Sequence, residues 1–164
     1  MWRGFSALAL SVALMAGSYA GAATTSGVLT VQATVVAACA VGSSTLAFGT
    51  IDPAVGTTTL PNVNVSVTCT QGTSFAVGLG DGANASGAQR RMKGASQAQY
   101  ISYELYRDST GTQRFGDSIS AQRLIGQTGL GAVANSIPVY GAISSGQSAP
   151  ADTYSDTVPI TVYY

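Results

Sequence analysis

Apolar and polar residues alternate in several short stretches of the chain, and this alternation is typical of half-buried β-strands. Turn-forming segments such as Gly80 to Asn84 and Arg107 to Gly111 separate the stretches. No stretch has the periodicity of a helix of ordinary length, so the pattern predicts an all-β sandwich or barrel. The alternating apolar positions are Leu29, Val31, Ala33 and Val35; Val63, Val65, Val67 and Cys69; Phe75, Val77 and Leu79; Ile101, Tyr103 and Leu105; Ile137, Val139 and Gly141; and Val158, Ile160, Val162 and Tyr164.

The last of these stretches contains a proline and runs to the last residue of the sequence. Pro159 cannot donate a ladder hydrogen bond, so we expect its strand at a sheet edge, or with this position facing an unpaired side. An uncovered apolar edge can pair with another chain. The pattern therefore predicts an available edge at the C-terminal strand.

Residues 1–22 have the features of a secretory signal peptide. Arg3 supplies a positive charge, and the apolar run from Ala7 to Ala16 is too short to span a bilayer. Either Ser18-Tyr19-Ala20 or Ala20-Gly21-Ala22 offers the small-x-small pattern of a cleavage site. We expect cleavage between positions 20 and 23. The sequence therefore predicts export.

Export determines how the two cysteines are interpreted. In an oxidising compartment Cys39 and Cys69, the only cysteines of the chain, are expected to form one structural disulfide. Closing this loop would stabilise the fold by about 3 to 4 kcal/mol on the chain-entropy account. A redox or nucleophilic role is disfavoured because the chain has no CxxC pair and no histidine to activate a thiolate.

Charge is sparse and balanced, with 7 Lys+Arg, 7 Asp+Glu and no histidine in 164 residues. This composition disfavours nucleic-acid and other polyanion binding and excludes histidine-based metal sites and triads. Asp81, Asp108 and Asp117 lack the spacing of a cation-binding loop, so turn-forming, solvated roles are expected. The one basic cluster, Arg90 to Lys93, is predicted to be a solvated loop. We expect no catalytic residue, no metal site and no cofactor.

Residues 24–38 form an uncharged stretch with one alternating strand and no turn signal before Cys39. The segment can be the first strand of the domain's own sheet, or it can extend from the body to pair elsewhere. The alternation alone does not choose between these two interpretations.

Six segments resemble, in this order, the spore coat protein U domain family, which includes the pilin subunits of archaic, Csu-type chaperone-usher pili. The similarity runs from about Gly27 to Tyr164. The segments are the Gly27 to Val35 alternation followed by Cys39; Leu46 to Thr50 with Asp52-Pro53; Val65 to Cys69; Tyr103 to Asp108; Pro138 to Gly141; and Tyr154 to Val162.

The resemblance implies an incomplete immunoglobulin-like β-sandwich with an N-terminal donor strand. Its groove would be filled first by a periplasmic chaperone and then by the N-terminal segment of a neighbouring subunit, which is donor-strand complementation. The chain would comprise a signal peptide (1–22), a donor strand segment (23–38) and the sandwich domain (39–164). The donor side chains would be Leu29, Val31, Ala33 and Val35, and the acceptor groove and chaperone contact would be Val158, Ile160, Val162 and Tyr164.

The implied function is that of a structural subunit of a secreted surface fibre, acting in adhesion and biofilm formation, and not of an enzyme. Its partners would be a periplasmic pilus chaperone, an outer-membrane usher and neighbouring pilin subunits, and it would reach the cell surface of a Gram-negative-type bacterium through the periplasm. Two alternatives remain. A surface-binding tip adhesin would need a second domain, and a self-contained spore-coat or envelope protein of the same fold would keep residues 28–36 as its own strand.

Overall fold

The computed structural model describes residues 21–57 and 59–164, and its regular structure consists of β-strands and one 3-10 turn at Ser120–Gln122. The predicted signal peptide, residues 1–22, lies almost entirely outside the described residues. Within these ranges no helix is long and apolar enough to cross a membrane. The strands are β1 (Cys39–Val41), β2 (Asn62–Cys69), β3 (Ser74–Leu79), β4 (Arg90–Gly94), β5 (Tyr100–Tyr106), β6 (Leu124–Thr128), β7 (Asn135–Ile143), β8 (Tyr154–Ser155) and β9 (Ile160–Tyr163).

These strands form two antiparallel sheets. The large sheet has the order β1-β2-β7-β5-β4-β8, and the small sheet has the order β6-β3-β9. The small sheet ends at β9, where a complete immunoglobulin-type sandwich has one further strand. The architecture confirms the predicted all-β fold, an incomplete immunoglobulin-like sandwich.

The core lies between the two sheets and follows the predicted alternation in β2, β3, β5 and β7. One face of each of these strands is buried, because successive side chains of a strand point to opposite faces. Phe115, in the loop after β5, is also fully buried. The buried apolar residues of these strands are Val65, Val67, Cys69, Phe75, Val77, Leu79, Ile101, Tyr103, Leu105, Ile137, Val139 and Ile143.

The alternating segment before Cys39 forms no strand. The chain divides into two units between Thr34 and Val35, and residues 21–37 have no regular secondary structure. Leu29, Val31 and Val35 are 86%, 82% and 81% exposed. A strand is stabilised by cross-strand partners and by burial of one face, and these side chains have no such burial. The strand predicted over Leu29 to Val35 is therefore absent from the isolated chain.

Two further predictions differ from the structure. The basic cluster predicted as a solvated loop is strand β4, and Arg90 is fully buried in it. The last strand begins at Ile160 and not at Val158, because the chain crosses from β8 in the large sheet to β9 in the small one over residues 156–159.

The segment after β1 packs against the large sheet through two apolar side chains. Leu46 and Phe48 lie over Gly141 of β7, and a Cβ atom at Gly141 would come within 2.9 Å of both side chains. The ring of Phe48 meets that of Tyr103 edge-on, with centroids 6.1 Å apart. The absent side chain at Gly141 is therefore what lets this segment reach the inner face of the sheet.

We predict that Gly141→Ala destabilises the fold by about 1 to 3 kcal/mol, because Leu46 and Phe48 must move out of an overpacked position. Urea denaturation measures the change. Gly42→Ala is the matched control, because a Cβ there has its nearest contact at an ordinary 3.5 Å, and we expect a change within about 0.5 kcal/mol. Equal stabilities for the two variants would contradict the packing described for Leu46 and Phe48.

Candidate strand-acceptor site

Strand β9 lies at the edge of the small sheet, and among the described residues it pairs only with β3. The backbone N–H of Gly80 donates to the carbonyl of Pro159 at 2.9 Å. Because hydrogen-bonding direction alternates along an antiparallel strand, Pro159, Thr161 and Tyr163 direct their backbone groups at β3. The intervening residues direct theirs at the free edge. These residues are Val158, Ile160, Val162 and Tyr164, the predicted groove residues.

The side chains of these four residues do not all share one environment. Val158, Ile160 and Val162 are partly buried and pack against the core, whereas Tyr164 is 64% exposed. The free edge therefore combines unpaired backbone groups with three apolar side chains that reach the interior.

A second free edge belongs to β1 in the large sheet. The N–H of Gly42 donates to Ser66 at 2.8 Å and the N–H of Thr70 donates to Ala38 at 2.9 Å. By the same alternation, Cys39 and Val41 direct their backbone groups away from β2. Strands β1 and β9 lie close to each other. Among the described residues, the two sheets thus have unpaired edges on the same side of the sandwich.

A cleft of about 530 Å³ lies between the sheets beside β9. Well-packed protein interiors contain few voids larger than a water molecule, so a cleft of this size is an incompletely filled core. Its apolar lining comes from both sheets and from the crossing segment. The apolar lining residues are Leu46, Phe48, Val63, Val65, Leu79, Met92, Tyr103, Leu105, Val139, Tyr154, Val158 and Ile160.

The crossing segment that carries Val158 is fixed by Asp156. Its carboxylate accepts hydrogen bonds from the hydroxyl of Tyr103 at 2.8 Å and from the backbone and side-chain N–H groups of Asn84 at 3.0 and 2.9 Å. Burial and the bond to Asp156 raise the pKa of Tyr103, which keeps its hydroxyl a donor. These contacts tie the cleft wall to β5 and to the turn after β3.

Pro159 comes directly before the edge strand, and its nitrogen faces β3 rather than the free edge. Gly80 and Pro159 lie opposite each other as a hydrogen-bonded pair, and such a pair in an antiparallel ladder normally exchanges two hydrogen bonds. Proline has no N–H to donate to the carbonyl of Gly80. Arg90 supplies the missing donors, because its Nε and Nη2 donate to this carbonyl at 2.9 and 2.7 Å. A buried guanidinium therefore replaces the backbone bond that Pro159 cannot make.

The charge of Arg90 is balanced by a network around Glu104. Nη1 of Arg90 donates to one carboxylate oxygen of Glu104, and Nε of Arg114 donates to the other at 2.7 Å. Arg114 also donates to Asp81 at 2.8 Å. Nη2 of Arg90 donates to the carbonyls of Leu79 and Phe115, both at 2.8 Å. A charge buried to this degree is tolerated only when it is paired and hydrogen-bonded, and here both conditions are met.

The root of the N-terminal segment is fixed next to β1. A disulfide joins Cys39 and Cys69, whose Cα atoms are 4.1 Å apart. The hydroxyl of Thr70 accepts from the N–H of Ala38 at 3.2 Å and donates to the carbonyl of Val36 at 3.1 Å. Ordered backbone contacts therefore begin at Val36, directly after the predicted donor positions Leu29, Val31, Ala33 and Val35.

The described ranges, 21–57 and 59–164, contain no group of three or more His, Cys, Asp or Glu side chains placed to hold a metal ion. The carboxylates discussed above are occupied by hydrogen bonds from arginine, tyrosine and asparagine. The distinctive chemistry of this region is therefore backbone hydrogen bonding beside an apolar cleft.

Residues 25–161 match the Spore Coat Protein U domain. The chain belongs to this family. It is also 34% identical to Protein U of Myxococcus xanthus over 177 aligned residues, which cover 96% of this chain and 95% of Protein U. The chain is thus similar to Protein U along nearly the whole of both proteins.

A solved structure shares the fold. The similarity is to a chain in the crystal structure of the CsuC–CsuE chaperone–tip adhesion subunit pre-assembly complex from the archaic chaperone-usher Csu pili of Acinetobacter baumannii, with a TM-score of 0.56 and 20% identity. It covers 80% of this chain and 41% of that chain, so the present protein spans less than half of that chain's length. The family is that of a spore coat protein domain, and the fold is shared with a chain of a pilus pre-assembly complex.

The sequence pattern predicts an available edge at the C-terminal strand, and β9 lies at a sheet edge. Alternation also predicts the apolar positions Val158, Ile160 and Val162, but it does not indicate the side chains that support the edge. The burial of Arg90 has no local signal, because basic clusters are usually solvated and its partner Glu104 lies on another strand. The useful signal was Pro159, since a proline beside a paired strand leaves one carbonyl without its donor.

We predict that Glu104→Gln lowers the free energy of unfolding by about 2 to 4 kcal/mol, because Arg90 keeps its buried charge and loses the carboxylate that balances it. Urea denaturation measures the loss. Asp52→Asn is the control, because within the described ranges the side chain of Asp52 accepts one bond, a local one from the N–H of Ala54 at 2.9 Å, which asparagine retains. A loss no larger than that of the control would show that the network is dispensable.

The same network predicts a loss of stability in acid. Burial by itself would raise the pKa of Asp81, but hydrogen bonds from Arg114 and Ser118 and the charge of Arg114 bring it below its ordinary value of 3.8. A lowered pKa in the folded state adds stability that is complete above the unfolded pKa and is lost as pH falls through the folded pKa. Asp81→Asn should therefore flatten the dependence of unfolding free energy on pH below about pH 4; an unchanged slope would contradict this role.

Proposed function

We propose that the chain is a structural subunit of a secreted surface fibre that polymerises by donor-strand exchange. The observation that carries the proposal is the free edge of β9 beside an unfilled apolar cleft, in a chain that also has an exposed alternating segment. An extended segment that adds to a sheet edge gains main-chain hydrogen bonds, and its alternate side chains enter pockets. The edge and the segment have these complementary properties.

The lengths of the two partners support this pairing. Val158 to Tyr164 contains as many residues as Leu29 to Val35, and at the strand rise of about 3.3 Å each covers roughly 20 Å. The edge directs backbone groups outward at alternate residues, and the segment has an apolar side chain at alternate residues. A segment laid along β9 can therefore form the ladder and fill the cleft together.

Burial of the donor side chains is large enough to hold subunits together. Leu29, Val31 and Val35 are almost fully exposed in the isolated chain, and burying each is worth about 1.5 to 3 kcal/mol. Their sum, on the order of 5 to 9 kcal/mol, is offset in part by the cost of ordering the segment. Ala33 adds little, so the groove opposite it should be shallow.

The geometry also determines what kind of assembly results. A segment at one place on the subunit entering a groove at another is a heterologous contact, and such contacts form open filaments when they do not close into a ring. An uncovered edge beside an apolar cleft is an aggregation hazard. We therefore propose a periplasmic chaperone that covers the edge, an outer-membrane usher and neighbouring subunits as partners, with a role in adhesion and biofilm formation at the cell surface.

A second candidate is a self-contained coat protein, and the identity to Protein U over nearly its full length favours it. In that case residues 28–36 would complete the sandwich of their own chain. The same edge and the same apolar side chains would be used, but no polymer would form.

We predict that Val31→Arg prevents polymerisation, because a charge would have to enter the apolar cleft. The measurement compares unheated with boiled samples of mature protein on a denaturing gel. The wild-type protein should give a ladder that heat collapses to monomer, and Val31→Arg should give monomer only.

Gln32→Arg is the matched control, since it places the same charge at a neighbouring position whose side chain would face away from the cleft. It should polymerise like the wild-type protein. A monomer band for all three proteins, with Val31→Arg alone reducing the unfolding midpoint, would favour the self-contained coat protein. Polymerisation of Val31→Arg at the wild-type level would overturn the donor assignment.

A further inference from the structure

We propose that Tyr163, Asp117 and Arg123 act as positioning residues that clamp β9 onto β3. They keep β9 ordered as a strand while no partner strand is bound at its free edge. The inference rests on the proposed function, because it concerns the acceptor strand. We call these three residues the Tyr163 clamp. They lie outside the cleft and make no contact in it, so their role differs from that of the groove side chains.

The clamp joins one side chain of β9 to the loop between β5 and β6. The hydroxyl of Tyr163 lies 2.8 and 2.9 Å from the two carboxylate oxygens of Asp117. Nε of Arg123 donates to the same carboxylate at 2.7 Å. The guanidinium of Arg123 also lies over the ring of Tyr163, 4.0 Å from its centroid. Each member thus contacts both of the others.

The clamp is seated on the middle of the small sheet. Asp117 lies directly over Gly78 of β3, where a Cβ would be 2.2 Å from its carboxylate oxygen. Gly78 pairs with Thr161 of β9. Only a glycine at this position lets the loop descend onto the sheet, so the backbone of β3 accommodates the clamp at the register of the edge strand.

The position of the clamp matches a weakness of β9. The strand has four residues and, among the described residues, one neighbouring strand, and short edge strands open at low cost in free energy. Arg90 supports the register at the start of β9 through the carbonyl of Gly80, and the Tyr163 clamp supports the other end. Both act from the β3 side, so neither occupies the edge that a donor would use.

Tyr163→Phe tests the clamp, because it removes the hydroxyl and keeps the ring over Arg123. Amide hydrogen exchange of the full chain should speed up about three- to tenfold at Thr161 and Tyr163, whose backbone groups face β3, as expected for the loss of one partly exposed bond to a charged group. Exchange in β2 and β7 should stay unchanged. Uniformly faster exchange and a lower unfolding midpoint would indicate a merely structural role and would overturn the proposal.

Tyr100→Phe is the matched control. Tyr100 is 37% exposed and Tyr163 is 38% exposed, and Arg91 lies over the ring of Tyr100 at 4.3 Å. The hydroxyl of Tyr163 is bound to a carboxylate, whereas the hydroxyl of Tyr100 has no hydrogen-bond partner among the described residues. The control should leave exchange at β9 at the wild-type rate.

A synthetic peptide of residues 24–37 separates the clamp from the proposed function. The peptide can pair only with molecules in which β9 is ordered. Its apparent affinity for the full chain should therefore be lower for Tyr163→Phe than for the wild-type protein, in proportion to the ordered fraction of β9 in each protein. If the peptide fails to bind the wild-type protein while exchange at β9 still responds to Tyr163→Phe, the clamp stands and the donor assignment fails. Equal exchange and equal peptide affinity in both proteins would overturn the clamp.

Should Tyr163→Phe fold poorly, Asp117→Asn provides the second test. It keeps an acceptor oxygen for Tyr163 and removes the charge that Arg123 pairs with. Faster exchange confined to β9 would again support the clamp, and wild-type exchange in this variant would overturn it. The double variant should exchange no faster than the stronger single variant, because coupled partners are not additive.

Discussion

The unpaired backbone groups along β9 are the constraint to which the rest of this structure responds. Backbone N–H and C=O groups bind a partner or water almost without exception, and here a row of them lies next to a cleft lined by apolar side chains. The groups cannot be buried without a partner strand, and the cleft cannot be filled without burying them. One extended segment with alternate apolar residues would satisfy both demands at once.

The side chains around β9 compensate for its single neighbour without covering its free edge. Arg90 donates to the carbonyl that Pro159 leaves without a partner, and Glu104 balances its charge. Burying a guanidinium in an apolar interior is costly. Here the buried guanidinium of Arg90 stabilises the register of β3 against β9, because it supplies the donors that Pro159 lacks. Asp156 fixes the chain just before the strand, and the residues around Tyr163 fix its end.

Membership of the Spore Coat Protein U domain family is compatible with two assemblies that share one set of contacts. If the alternating segment closes the sandwich of its own chain, the product is a coat protein that folds alone. If it enters a neighbouring chain, the product is a filament, because the contact is heterologous and open. The N-terminal segment is held at its end by Thr70 and by the disulfide. These contacts lie outside the groove and would be the same in both assemblies.

The amino-acid pattern is sufficient to predict the all-β class, the core faces of β2, β3, β5 and β7, and the apolar positions Ile160 and Val162 of the edge strand. These features follow from alternation, which is a local property of the chain. The alternation also predicts a strand over Leu29 to Val35. A strand needs a partner strand, and in the fold this segment has none and its apolar side chains are exposed.

Three features depend on the three-dimensional fold: Arg90 is buried, Phe48 rests on Gly141, and Asp117 contacts Tyr163. In each case the partners are far apart in the sequence, and whether a polar side chain is buried depends on which groups the fold brings to it. Local patterns predict the period of a strand. They do not predict which distant residue balances a buried charge or which segment pairs with an open edge.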